Sequence, residues 1–65
     1  KKEFTILSKK IIIGDECWIT NDVYVARGVI IGRGTVVGAR SSVYKDLPAN
    51  KICMGNPAKI IKDRA

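Results

Sequence analysis

From Ile13 to Leu47 the chain repeats itself every six residues, as IGDECW, ITNDVY, VARGVI, IGRGTV, VGARSS and VYKDLP. A weaker copy, LSKKII, begins at Leu7. The first position is always Ile or Val: Ile13, Ile19, Val25, Ile31, Val37, Val43. The second is small at Gly14, Thr20, Ala26, Gly32 and Gly38, and Tyr44 breaks the pattern. The fifth is compact or β-compatible: Cys17, Val23, Val29, Thr35, Ser41, then Leu47. A hexapeptide period of this kind is a signature of parallel β-helices.

The spacing fits neither an amphipathic helix nor a long strand that alternates every two residues. Across each hexad boundary the fifth and first positions flank one residue, as in Cys17, Trp18, Ile19 and Val23, Tyr24, Val25. In an extended segment the outer two side chains point one way and the middle one the other. The small or polar residues that follow turn the chain, with Gly, Asp15 and Asn21 suited to corners. Short strand and corner, repeated, make a prism. Three sides per coil would stack residues eighteen apart at the roughly 4.8 Å distance between neighbouring strands. That register puts Asp15 under Arg33 and Asp22 under Arg40, exposed pairs each worth about 0.2–1 kcal/mol. It also lines up Lys9, Arg27 and Lys45, which read as three solvated cations or as a site for acidic groups. Handedness does not follow from the spacing.

Sixty-five residues make one small domain, with coils over 1–48 and a C-terminal loop and tail over 49–65. Seven hexads are little more than two coils, whereas solenoids need several stacked units and capped ends. The chain opens on Lys1 inside the pattern, so the expectation is a fragment of a longer protein. Apolar residues form 46% of it, which argues against disorder. No apolar run is long enough to span a bilayer and no signal sequence is visible. Cys17 and Cys53 lack metal-ligand spacing and read as reduced thiols of a cytoplasmic protein. The net charge of +6 favours anionic partners. Nucleic acid is disfavoured, because no recognition motif is present and aromatics are few.

The middle residues Ile12, Trp18, Tyr24, Ile30 and Val36 would face outward in apolar columns, and such columns usually meet a partner. A homo-oligomer packing prism against prism follows. After Pro48 the repeat stops. Residues 49–56 read as a loop, Gly55-Asn56-Pro57 as a turn, and Ile60 and Ile61 as anchors of a terminal segment on the prism wall. Lys59, Lys62 and Arg64 are then left outside as solubilising charges.

The stretches IGDECWIT, VIIGRGTVVGARSSVYKDLPAN and GNPAK together resemble the C-terminal half of the hexapeptide-repeat acyltransferases, in the sugar O-acetyltransferase branch with the galactoside, maltose and colanic acid biosynthesis enzymes. The resemblance implies a left-handed parallel β-helix and transfer of an acetyl group from acetyl-coenzyme A to a sugar hydroxyl. It also implies a homotrimer with the coenzyme in a groove between prisms. The family's histidine base would precede this segment; the chain contains no histidine and by itself should be inactive. Carried over by motif, the coenzyme contacts are Asn21, Ala39, Tyr44, Lys59 and Lys62. Asn21 and Ala39 also stack in the eighteen-residue register, a small Ala leaves room for a thin pantetheine arm, and the lysines supply charge for phosphates. Tyr44 replaces the small hydroxyl residue common in the family, and Lys59 a frequent Arg. Trp18 reads as packing at a subunit seam. The competing reading is a non-catalytic prism that trimerises or binds another protein.

Overall fold

The computed structural model describes residues 10–64, and among them every regular element is a strand. Six are two residues long: β1 (Ile12–Ile13), β2 (Trp18–Ile19), β3 (Tyr24–Val25), β4 (Ile30–Ile31), β5 (Val36–Val37) and β6 (Ser42–Val43). β1 pairs with β4, β2 with β5 and β3 with β6, all parallel, with Ile12 opposite Ile30, Trp18 opposite Val36 and Val25 opposite Val43. Three walls result, each a column of strands stacked along the prism. The parallel all-β stack expected from the hexads is the one that forms.

Alternation then decides what is inside. Val29 and Ile31, Thr35 and Val37, Ser41 and Val43 are buried, while the residues between them are not. With Leu47 and Cys53 they fill the core. Each fully buried aliphatic contributes about 1.5–3 kcal/mol of transfer free energy. The two buried hydroxyls are both satisfied. Thr35 Oγ1 donates to Pro48 O at 2.5 Å and accepts from Lys51 N. Ser41 Oγ donates to Gly38 O at 2.7 Å and accepts from Gly55 N.

The corners work differently from the sequence expectation, which gave the turning to small residues after the first position and to Asp15 and Asn21. The left-handed residue is the next one along: Glu16 (φ 62°), Asp22 (54°), Gly28 (82°), Gly34 (75°) and Arg40 (62°). Every complete hexad therefore turns at its fourth position. The glycines at the second position serve close approach instead. A Cβ on Gly32 would stand 2.6 Å from the backbone nitrogen of Ala49 in the next coil.

The ion pairs also shift by one residue. Arg33 meets Glu16 at 3.5 Å rather than Asp15, whose carbonyl is taken by the Gly34 N–H. Asp22 and Arg40, both at the left-handed points of their corners, form no ion pair among the described residues. Lys9 lies outside the described residues.

The third coil is short by two. Leu47, expected at a fifth position, bridges in parallel to Ile31 and so occupies a first position only four residues after Val43. Asp46 makes the short corner possible: its Oδ1 accepts the Ile30 N–H at 2.8 Å, standing in for a backbone carbonyl, while Leu47 N donates to Ile30 O. The expected loop over 49–56 is mostly strand. β7 (Lys51–Gly55) joins the second wall, with Val36 opposite Ile52 and Val37 opposite Cys53. A turn through a cis Asn56–Pro57 bond leads into β8 (Ala58–Asp63), antiparallel to β7, giving the order β2-β5-β7-β8. Ile60 and Ile61 thus belong to an added strand and stay exposed, instead of docking on the wall's surface.

Gly32→Val should destabilise the whole protein by about 1–3 kcal/mol in urea denaturation, since its new atoms meet backbone that cannot swing aside. Thr20→Val, at a second position that already carries a side chain, gives up only the Thr20 Oγ1 bond to Val37 O and should cost less, about 0.5–1.5 kcal/mol.

Candidate functional site

The outer face of the second wall is built by direct pairing. Trp18, Val36 and Ile52 lie opposite one another in successive strands, and Lys62 of β8 continues that line. Two residues along, Met54 packs over Gly38, where a Cβ would meet its methyl carbon at 2.6 Å. Lys59 is directly opposite Met54. An apolar strip therefore ends in two exposed lysines.

This strip runs beside the corner that joins the second and third walls. Thr20 N donates to Val37 O and Arg40 N to Asn21 O, so Asn21 and Ala39 occupy the same corner of adjacent coils. Both are exposed. Their eighteen-residue register puts a carboxamide in one coil and a bare methyl in the next, leaving a shallow step rather than a bulky side chain. Tyr44 is set elsewhere, at the far edge of the third wall. Its ring packs on Tyr24 with centroids 5.8 Å apart and planes tilted by 49°. Of the five residues carried over by motif, Asn21 and Ala39 share one corner, Lys59 and Lys62 lie together in β8 on the adjoining wall, and Tyr44 is one wall-width away.

Two open depressions lie where β7 begins and β8 ends, and the first shares Ile52 and Lys62 with the strip. One of about 440 Å³ is lined by Ile52, Lys62, Asp63 and Arg64, and its neighbour by Ala49, Asn50, Lys51, Asp63 and Arg64. Two of the cations there, Lys51 and Arg64, are already engaged. Lys51 Nζ meets Asp63 at 2.5 Å, and Arg64 Nη1 donates to Glu16 O at 3.0 Å and to Gly34 O at 2.8 Å, while Arg64 N donates to Asn50 O. Sequence reasoning treated Arg64 as a solubilising charge. It is a clasp across three coils, invisible in the sequence because its partners are backbone carbonyls far away along the chain. The strip's Met54 was missed for the same reason: only the third strand of the wall reveals what lies under Gly38.

Residues 10–45 match the family model of the bacterial transferase hexapeptide (six repeats), and the chain belongs to that family. It is 60% identical over 63 residues to WcaF of Escherichia coli (strain K12), provisionally named a colanic acid biosynthesis acetyltransferase; the match takes in 97% of this chain and 35% of that protein. The chain thus spans about a third of the length of the curated relatives it matches. A hexapeptide-repeat acetyltransferase from Vibrio cholerae O1 biovar eltor, solved with acetyl-coenzyme A, is 38% identical with a TM-score of 0.85 over 88% of this chain and 31% of that one. A galactoside acetyltransferase in complex with coenzyme A gives 38%, 0.85, 88% and 28%. No helix among the described residues is long and apolar enough to cross a membrane.

Cys53 sits in the core beneath this strip, fully buried, and burial pushes its thiol above the ordinary range against the pull of Lys51. The folded state therefore holds the thiol proton more tightly than the unfolded state does. Its contribution is complete below the unfolded thiol pKa of about 8.5 and is lost as pH climbs through the raised folded value. As pH rises past the unfolded thiol's value of about 8.5, wild-type protein should lose stability more steeply than Cys53→Ala, read from the urea midpoints of the two. Parallel slopes would mean that Cys53 is not buried as described.

Proposed function

We propose that this chain is the coenzyme-binding, subunit-contacting end of an O-acetyltransferase that uses acetyl-coenzyme A to acetylate a sugar or polysaccharide-precursor hydroxyl. What carries the reading is the strip itself. A narrow apolar track with Asn21 and Ala39 along its edge leads to Lys59 and Lys62, which matches a molecule with a thin amide-bearing arm and a polyanionic end. The relatives solved with acetyl-coenzyme A and coenzyme A support the same choice of donor.

In this reading the carboxamide of Asn21 bonds an amide of the pantetheine arm, the methyl of Ala39 leaves the arm its width, and the lysines neutralise phosphates as point charges. Tyr44 contributes from the third wall. The acetyl group passes from the thioester sulfur to a sugar oxygen, and the hydroxyl proton must go to a base. This chain has no histidine, so by resemblance that base comes from a coil outside it. The outward Trp18, Tyr24 and Ile30 favour burial against a second copy, and we infer a cytoplasmic homotrimer of left-handed prisms with the coenzyme at the seam.

Ala39→Trp should leave the thermal midpoint of the whole protein nearly unchanged, because Ala39 is exposed, and should abolish coenzyme A binding in calorimetry. Undiminished affinity would remove this corner from the site.

A further inference from the structure

Lys59 and Lys62 are three residues apart, and a regular strand would send them to opposite faces. The pairing of β7 with β8 shows that they are not opposed. Met54 faces Lys59, Cys53 faces Ile60, Ile52 faces Lys62 and Lys51 faces Asp63, with an irregularity between Ile52 and Cys53. Ile61 is the residue without a counterpart. It is the extra residue of a β-bulge, a device that re-aims the side chains beyond it. Residues directly opposite share a face. Met54 and Ile52 are on the outer side, since Cys53 between them is fully buried. Both lysines are therefore outward.

Charge fixes the bulged register. Without it, Ile61 would face Ile52, and Lys62 would face Lys51. Two cations directly opposite are destabilising, whereas the bulged pairing sets Lys51 against Asp63 at 2.5 Å. The slip would also draw Arg64 away from Glu16 O, Gly34 O and Asn50 O, where three hydrogen bonds hold it.

We propose that Ile61 is a positioning residue: as the extra residue of β8 it turns Lys62 onto the face that carries Lys59, so that one polyanion meets both cations from the same side of the wall. The inference rests on the coenzyme reading given above and deepens it, since the polyanion is the phosphate-bearing end of the coenzyme. Exchanging the two residues (Ile61→Lys with Lys62→Ile) keeps composition and net charge but puts the second cation at the bulge.

In the whole protein this exchange should lower coenzyme A affinity about tenfold, the size of one lost charge-assisted contact, and flatten its salt dependence. Affinity for pantetheine, which has no phosphates, should not move. Deleting Ile61 removes the bulge yet leaves Lys62 opposite Ile52, so coenzyme A affinity should stay within about twofold. Unchanged affinity in the exchanged variant, equal loss for pantetheine, or loss of binding in a folded deletion variant overturns the inference alone. If the wild-type protein binds no coenzyme A, the functional reading falls and takes the inference with it.

Discussion

No two-residue strand among the described residues is paired within its own coil; its backbone groups are met by the next one. Gly14 N donates to Ile31 O, Thr20 N to Val37 O and Ala26 N to Val43 O, always seventeen residues on. Such a ladder is worth little per rung, because folding exchanges bonds to water for bonds within the protein. What it does is set register. Once Ile13 is held against Ile31 and Ile19 against Val37, the β-branched first positions are stacked in the prism, and the core follows from that column. The exposed pair of Arg33 and Glu16 adds little to this order.

The coils were legible in the sequence because their interior admits so few side chains. A first position that is Ile or Val six times over, with a compact fifth position, fixes both wall and direction. The eighteen-residue stacking of Asn21 on Ala39 followed from it. The corners were legible only in outline. Gly28, Gly34 and Asp22 mark the turning position by residue type, but Glu16 and Arg40 adopt positive φ although neither favours it, so the sign was present at only some corners. Asp15 and Asn21 looked the better candidates and are not the ones used.

Beyond Val43 the reading lost its footing for a physical reason. A hexad count presumes constant corner length, and Asp46 shortens the corner by lending a carboxylate oxygen where a carbonyl would stand. Everything after it is displaced, so Cys53 comes to lie under Val37 and a stretch that reads as loop becomes wall. The lysines of the tail were singled out by resemblance to other sequences. Their common face depends on Ile61, which nothing in the local sequence marks as different from Ile60. Arg64 was misjudged because a charge bonded to main-chain oxygens looks no different in sequence from one in water.

The short corner at Asp46 and the extra residue at Ile61 are edits of opposite parity. Dropping two residues leaves Leu47 pointing into the prism as Ile31 does, since an even change preserves which side of the pleat a residue takes. Adding one reverses that assignment for all that follow. Along such a chain, then, even-numbered insertions and deletions alter only the perimeter of a coil, while odd-numbered ones exchange interior for exterior. Variation that spares the core should be confined to the first kind along the coils, whereas β8, which lies antiparallel to them and outside the stacked prism, can take an odd edit.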